Sequence, residues 1–362
     1  MPQIRTLLGC DLKELEAIAE GVGAPRYAGG QLAQWLYVKR VTSFEAMTNL
    51  SLAVRKKLAE LYTVGREAPS IVRMSRDGTK KYLFLVGEDR SVETAMIPDR
   101  GRVTLCVSTQ AGCRMGCKFC ATGQQAFKGS LTVGEILNQL MSVEESEELT
   151  NVVLMGMGEP LDNVDAVLLA LRVMTAPWGM AWSPRRITLS TVGLRNGLER
   201  FLSESECHLA VSLHSPFDRE RGELLPATRS FPLKDLMRLL QRYDWRGQRR
   251  LSFEYVVLRG VNDTPQHMEA VAQLLRGVPC LVNLITYHVH DNAPFAAPSR
   301  REVEMLRDML NRRGVRATVR ASRGVDIEAG CGMLSRNAGV TLVQHNESCD
   351  VKGKKYSFEN EL

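Results

Sequence analysis

From residue 103 to residue 320, apolar runs of strand length alternate with runs of helical period, and this alternation restricts the fold more than any other feature of the chain. Strand-like runs fall at 103–108, 151–155, 186–191, 207–213, 251–258, 281–286 and 315–320. Helical periodicity fills 132–147, 163–175, 194–203, 232–243, 264–276 and 301–313. Strands separated by helices of this length pair in parallel, since a parallel neighbour is reached only through a long crossover. Six or seven such units without a glycine-rich dinucleotide fingerprint suit an incomplete (β/α) barrel better than a Rossmann sheet. The expected fold class is α/β.

Upstream, the period changes twice. Leu12, Leu15 and Ile18, then Leu32, Trp35 and Leu36, then Leu52, Leu58 and Leu61 recur at helical spacing, with Ser51 as an N-cap. Arg26, Lys39, Arg40, Arg55, Lys56 and Lys57 make this unit basic, either as a solvated face or as an RNA contact. Between residues 70 and 97, strand-like runs flank the hairpin pair Asp77-Gly78, and a third run, Ser91 to Ile97, places Glu93 on one face with Ala95 and Ile97. The expected division is a helical accessory domain at 1–66, a β-hairpin extension at 67–98, a barrel at 99–336 and a polar tail at 337–362.

Composition narrows the class of protein. No apolar run reaches membrane-spanning length and no signal core follows Met1, so a soluble, cytoplasmic protein is expected. Nine cysteines, an odd number with a tight cluster, fit a reducing compartment better than a disulfide framework. A net charge of +6 suits a polyanionic partner without requiring one.

The chemistry-bearing residues follow the first parallel strand. Cys113, Cys117 and Cys120 are spaced C-x3-C-x2-C. Three thiolates can hold three irons of a [4Fe–4S] cube and leave the fourth open. On spacing alone, a zinc site lacking its fourth ligand and three unrelated thiols stay open as alternatives. Polar residues then interrupt strands that should be apolar: Thr104, Cys106 and Ser108; Gly158 and Glu159; Thr188 and Ser190; His208, Ser212 and His214; Asn283. Singly, each is more often a satisfied core group. Together, near the strand ends where barrel enzymes place their chemistry, they outline a mouth for a cofactor with amino, carboxyl and ribose groups. Cys331, between Gly330 and Gly332, reads as an idle thiol, a fourth cluster ligand or a nucleophile on a mobile loop. Cys10, Cys207, Cys280 and Cys349 have no comparable context.

The C-x3-C-x-aromatic-C run, with Phe119 before its last cysteine, resembles the radical S-adenosylmethionine (SAM) superfamily. Leu105 to Cys113, Met155 to Pro160, Thr188 to Thr191, Ser212 to His214 and Cys331-Gly332 resemble the RlmN/Cfr adenosine methyltransferases in order and spacing, over about residues 12–336. The resemblance implies a partial (βα)6 radical SAM barrel with a [4Fe–4S] cluster on Cys113, Cys117 and Cys120. It places SAM against Gly158, Glu159, Ser190, Ser212, Leu213, His214 and Asn283. Cys331 would become S-methylated, Cys106 would be the second catalytic cysteine, and Glu93 would accept the ring proton. Met333 stands where relatives often carry glutamine, and the segment after Ala338 has no match.

The implied reaction converts an adenosine of 23S rRNA, and adenosine 37 of some tRNAs, to 2-methyladenosine at the expense of two SAM molecules. C8 methylation is the alternative within the family, and a non-catalytic metal-containing RNA-binding protein the alternative outside it. Flavodoxin or ferredoxin would supply electrons, and a monomer away from the membrane is expected. Arg185, Arg186, Arg246, Arg249, Arg250, Arg312, Arg313, Arg320 and Arg323 are candidate phosphate contacts, each weighed against a solvated surface role.

Overall fold

Three short helices, α1 (Leu12–Gly21), α2 (Ala28–Ala33) and α3 (Leu52–Leu61), lead the computed structural model, which describes residues 5–290 and 294–334. A capping box starts α1: the Asp11 carboxylate accepts the Glu14 N–H at 2.9 Å while Glu14 accepts the Asp11 N–H at 3.0 Å. Ser51 caps α3 through the Val54 N–H at 3.3 Å. Strand β1 (Arg5–Thr6) pairs in parallel with β2 (Tyr62–Thr63), closing the unit on itself.

This unit is tightly docked on the barrel. A Cβ at Gly9 would lie 2.6 Å from the Gly134 nitrogen, so the two backbones touch. Arg66 donates to the carbonyls of Arg40 and Met141, and Arg40 donates to the Ser146 carbonyl at 2.7 Å. Arg26 pairs with Glu16, Arg55 donates to the Glu45 carbonyl, and Lys39 lies over the Trp35 ring at 3.7 Å. Much of the basic charge on the unit therefore serves internal contacts, while Lys56 and Lys57 are exposed.

Strands β3 (Ile71–Met74), β4 (Lys80–Leu85), β5 (Ser91–Asp99) and β6 (Arg102–Cys106) run antiparallel in sequence order. Two-residue strands β7 (Gln110–Ala111) and β8 (Gly129–Ser130) pair across the base of the cysteine loop. Then come α4 (Val133–Met141), β9 (Asn151–Leu154), α5 (Val164–Thr175), β10 (Ile187–Thr191), α6 (Arg195–Glu204) and β11 (His208–Ser212). The chain continues through α7 (Asp218–Leu224), α8 (Leu233–Leu240), β12 (Leu251–Val257), α9 (Pro265–Leu274), β13 (Cys280–Thr286), α10 (Arg300–Arg312) and β14 (Ala317–Arg320).

One ten-stranded sheet has the order β14-β13-β12-β11-β10-β9-β6-β5-β4-β3. Its strands from β6 to β14 are parallel, joined by six helical crossovers, and β14 does not pair with β6. The barrel is therefore open along one seam. The hairpin strands continue the same sheet, because β5 pairs with β6 and sets Ala95 opposite Cys106. The short helix α7 escapes sequence reading, since Asp218-Arg219-Glu220-Arg221-Gly222-Glu223-Leu224 offers one large apolar residue and no period. The expected tail at 337–362, with Cys349, lies outside the described residues.

The parallel strands are two-faced. Leu105, Val152, Leu189, Leu209, Val211, Phe253, Val282 and Leu284 are buried under the helices, each contributing roughly 1.5–3 kcal/mol by removal from water. The alternate residues, among them Thr104, Ser190, Ser212 and Glu254, line cavities inside the barrel.

Candidate active site at the open seam of the barrel

The cysteine loop is held from several sides. The Lys118 N–H donates to the Leu224 carbonyl at 3.0 Å, the Ala121 N–H to the Gly332 carbonyl at 2.8 Å, and the Thr122 hydroxyl to the Leu334 carbonyl at 2.7 Å. The latter two bonds fasten the segment after Cys331 against the loop. Cys113, Cys117 and Cys120 line one cavity of about 150 Å³. Burial pushes the Cys113 thiol up to about 12 and raises Cys117 and Cys120 as well.

Buried thiols become thiolates when a cation compensates them, and this donor set suits iron. Among the described residues, no three His, Cys, Asp or Glu side chains converge as on a single ion. Three soft donors set around one cavity instead suit a cluster that bridges them. The residues present thus fit a [4Fe–4S] cluster.

Gly158, Glu159, Ser190, Ser212 and His214 line the same cavity. Glu159 binds backbone with both carboxylate oxygens, accepting the Leu161 N–H at 3.1 Å and the Val192 N–H at 2.9 Å. Burial pushes its pKa up to about 7. His214 takes a left-handed backbone, φ +57°. Its Nδ1 accepts the Val256 N–H at 2.9 Å, which fixes the remaining ring proton on Nε2. Burial, with nearby Arg221, pushes the imidazole down to about 3, and its ring meets Phe119 edge-on at 4.7 Å. Leu213 points into the helix-side core. Asn283 lines a separate cavity of about 660 Å³ with Thr188 and His208, and donates to Glu254 at 2.8 Å. Glu254 itself borders the cysteine cavity. Ser108 is a satisfied core group, donating to the Glu93 carbonyl at 2.5 Å and accepting the Met157 N–H at 2.8 Å.

A second cavity of about 320 Å³ opens in the seam. Ile97, Arg102, Thr104 and Cys106 form one wall, and His288 with Arg320 to Arg323 the other. Cys331, Arg320 and Met155 border both this cavity and the cysteine cavity. Cys331 is exposed, whereas Cys106 is buried and its thiol pushed up to about 12 by burial. Glu93 is buried and paired with the equally buried Lys81 at 3.0 Å, on the β5 face it shares with Ala95, which packs on Cys106.

Residues of the site beyond the sequence reading include Glu254, Lys81, Arg221 and Asn262. Glu254 was accessible in principle, since strand alternation puts it with Ser252. Arg221 is buried and donates to the carbonyls of Val192 at 2.7 Å and Ser212 at 3.0 Å, tying two strand ends together. Of the candidate phosphate contacts, Arg186 packs on Trp182, Arg249 donates to the Leu202 carbonyl, Arg313 pairs with Glu269 and Arg323 with Asp99. Arg185, Arg246, Arg250 and Arg312 are exposed.

A model of the radical SAM superfamily matches residues 107–275, and one of the ribosomal RNA large subunit methyltransferase N-terminal domain matches residues 5–64. A probable dual-specificity RNA methyltransferase RlmN of Porphyromonas gingivalis is 54% identical over 91% of this chain and 96% of its own. That of Parabacteroides distasonis is 50% identical over 94% and 99%. The dual-specificity RNA methyltransferase RlmN of Syntrophus aciditrophicus is 40% identical over 90% and 95%. A radical SAM methyltransferase from Sphaerobacter thermophilus superposes with a TM-score of 0.86 at 39% identity, covering 91% of this chain and 99% of that one.

Proposed function

The chain belongs to the RlmN family of radical SAM RNA methyltransferases, and we propose that it methylates C2 of adenosine in 23S rRNA and in tRNA through a methyl group carried on Cys331. The observation that carries this reading is the position of Cys331 on the border of two cavities, one lined by the three clustered cysteines and one by Cys106. A thiol there can collect a group on one side and deliver it on the other.

The cluster and SAM, when bound, supply the methyl group and the one-electron chemistry that an electron-poor ring carbon requires. The protein residues supply the rest. Gly158 lets the backbone approach the cofactor, while Glu159, Ser190, Ser212 and neutral His214 orient its polar groups. Cys331 Sγ carries the methyl carbon to the base, which enters through the seam with its neighbours outside. Glu93, held as an ion pair by Lys81, takes the proton that the ring carbon loses. Cys106 Sγ then attacks Cys331 Sγ; the bond from Cys331 to the product carbon breaks with its electron pair going to that carbon, which takes up the proton that Cys106 gives up, and the disulfide left behind is reopened by a two-electron reductant. A monomer in the cytoplasm, supplied with electrons by a flavodoxin or ferredoxin, completes the proposal; among the described residues no helix is long and apolar enough to cross a membrane.

Nucleoside mass analysis of RNA treated with the anaerobically reconstituted enzyme, SAM and reductant tests the reading. The expected product is 2-methyladenosine; 8-methyladenosine would move the reaction to the other ring position. Cys331→Ala is expected to keep its iron and lose turnover, and full turnover in that variant would overturn the methyl-carrier role.

A further inference from the structure

The segment that carries Cys331 is fastened at two ends. Downstream, Gly332 and Leu334 accept hydrogen bonds from Ala121 and Thr122 of the cysteine loop. Upstream, it meets the turn of the β3–β4 hairpin, whose residues are 250 positions earlier in sequence. The Gly324 N–H donates to Asp77 Oδ2 at 2.9 Å. The Ser75 hydroxyl donates to Asp326 Oδ1 at 2.5 Å, and the Arg76 N–H to Asp326 Oδ2 at 3.3 Å. Lys81 Nζ, besides holding Glu93, approaches the Glu328 carbonyl at 3.5 Å.

These contacts are close and specific. A Cβ at Gly324 would lie 2.7 Å from Thr79 Cγ2 and 2.8 Å from Ala329 Cβ, so the segment packs against the Thr79 side chain only with glycine there. Beyond Gly324, Glu328 is held in the left-handed region at φ +56°, a conformation costing a non-glycine residue about 1 kcal/mol unless its surroundings impose it. Ala329 then packs against Ala95 and Cys106, two residues before Cys331. The hairpin turn therefore fixes the root of the Cys331 segment, and the strained turn at Glu328 aims it at Cys106.

We propose that the β3–β4 hairpin turn is a clamp that positions Cys331, with Ser75, Asp77 and Lys81 as positioning residues rather than groups that touch substrate. The clamp holds the root of the segment still while the short stretch between Ala329 and the cysteine loop lets Cys331 face either cavity. Lys81 joins that root to Glu93, so the methyl carrier and the proton acceptor keep one spacing. This proposal rests on the role given to Cys331 above.

Asp326→Ala and Ser75→Ala, singly and together, test the clamp in the reconstituted enzyme. Two readouts stand apart from turnover: the rate at which oxidised glutathione closes the Cys106–Cys331 disulfide, and hydrogen exchange of residues 324–334. Loss of the partly buried Ser75–Asp326 hydrogen bond is expected to slow closure about tenfold and to raise exchange in that segment, at unchanged iron content. The double variant is expected to fall clearly short of the sum of the single effects, because the Ser75–Asp326 bond is lost in both single variants, although Asp326→Ala also loses the Arg76 N–H and Ser75→Ala the Asp77 N–H. Asp326→Asn, which keeps one acceptor, is expected to recover part of the closure rate.

Unchanged closure and exchange in the single variants would overturn the clamp, as would fully additive effects. Should Ser75→Ala unfold, exposed Asp326 still gives the answer. Turnover persisting in Cys331→Ala would instead overturn the methyl-carrier reading and leave the disulfide rates to judge the clamp by themselves.

Discussion

Asn262 donates to the carbonyl of His214 at 2.7 Å, and through that bond a residue in the loop after β12 holds the backbone turn at the end of β11. The same amide donates to the Val256 carbonyl at 2.8 Å and accepts the Leu258 N–H at 2.7 Å, while the Asn262 carbonyl accepts from Tyr255. Its side chain is fully used and fully buried. Asn262→Ala is expected to cost about 2–4 kcal/mol, since it strands three buried backbone groups at once. Thermal unfolding measures this loss, and SAM binding should weaken with it because His214 lines the cysteine cavity, where SAM is proposed to bind. An unchanged melting temperature would contradict the account.

Gly158 gives a second, steric prediction. Its φ is +96°, and a Cβ there would lie 2.5 Å from the Gln110 Cβ. Gly158→Ala must shift the strand-end backbone that carries Glu159, at about 1–3 kcal/mol. Equilibrium binding of SAM is expected to fall more than tenfold; equal affinity would mean that this backbone does not approach the cofactor.

The two cysteines of the seam should separate by alkylation. Cys331 is exposed, whereas burial pushes Cys106 up to about 12 and leaves it almost wholly protonated near pH 8. Iodoacetamide under anaerobic conditions is expected to label Cys331 first, read by peptide mapping of the intact enzyme. Faster labelling of Cys106 would contradict the buried placement.

Acid behaviour provides a fourth test. His214 is pushed down to about 3 when folded, against an ordinary value near 6.5, so the folded state binds fewer protons there. Its contribution is complete above pH 6.5 and falls by about 2 kcal/mol between pH 7 and pH 5. Glu159, pushed up to about 7, acts with the opposite sign, since its folded form takes up a proton early and gains stability as pH falls. The two offset each other in the parent protein. In His214→Asn, whose Oδ1 can still accept the Val256 N–H, only the Glu159 effect remains, and urea unfolding should show stability rising on acidification relative to the parent. Parallel pH profiles for the two proteins would sink this assignment.

Strand alternation made much of the site legible. Ser190 and Ser212 stand out because their strands have a helix-side row of leucines and valines, and any polar residue on the other row must look inward. The spacing of Cys113, Cys117 and Cys120 is local, so it survives in the sequence unaltered. Contacts made by register do not. Asn283 is visible as a polar break in its strand, but its bond to Glu254 across the β12–β13 pairing is not. Arg40 reads as surface charge, yet it donates to a carbonyl 106 residues away. Cys331 reads as a loop thiol, and only the docking of its segment against both the cysteine loop and the hairpin turn shows which cavities it borders. Partners so distant in sequence leave no periodic trace.

A sheet that stops short of closing also bears on how the proposed reaction admits a long polymer. Because β14 does not pair with β6, whose free side is taken by β5, the cavity between them is reached sideways and not only from above the strand ends. A nucleotide in the middle of a continuous strand can be presented there with both flanking phosphodiesters in solvent, so no free terminus has to be threaded. The same gap lets the product withdraw laterally, which spares the enzyme any need to unfasten its wall between one RNA molecule and the next.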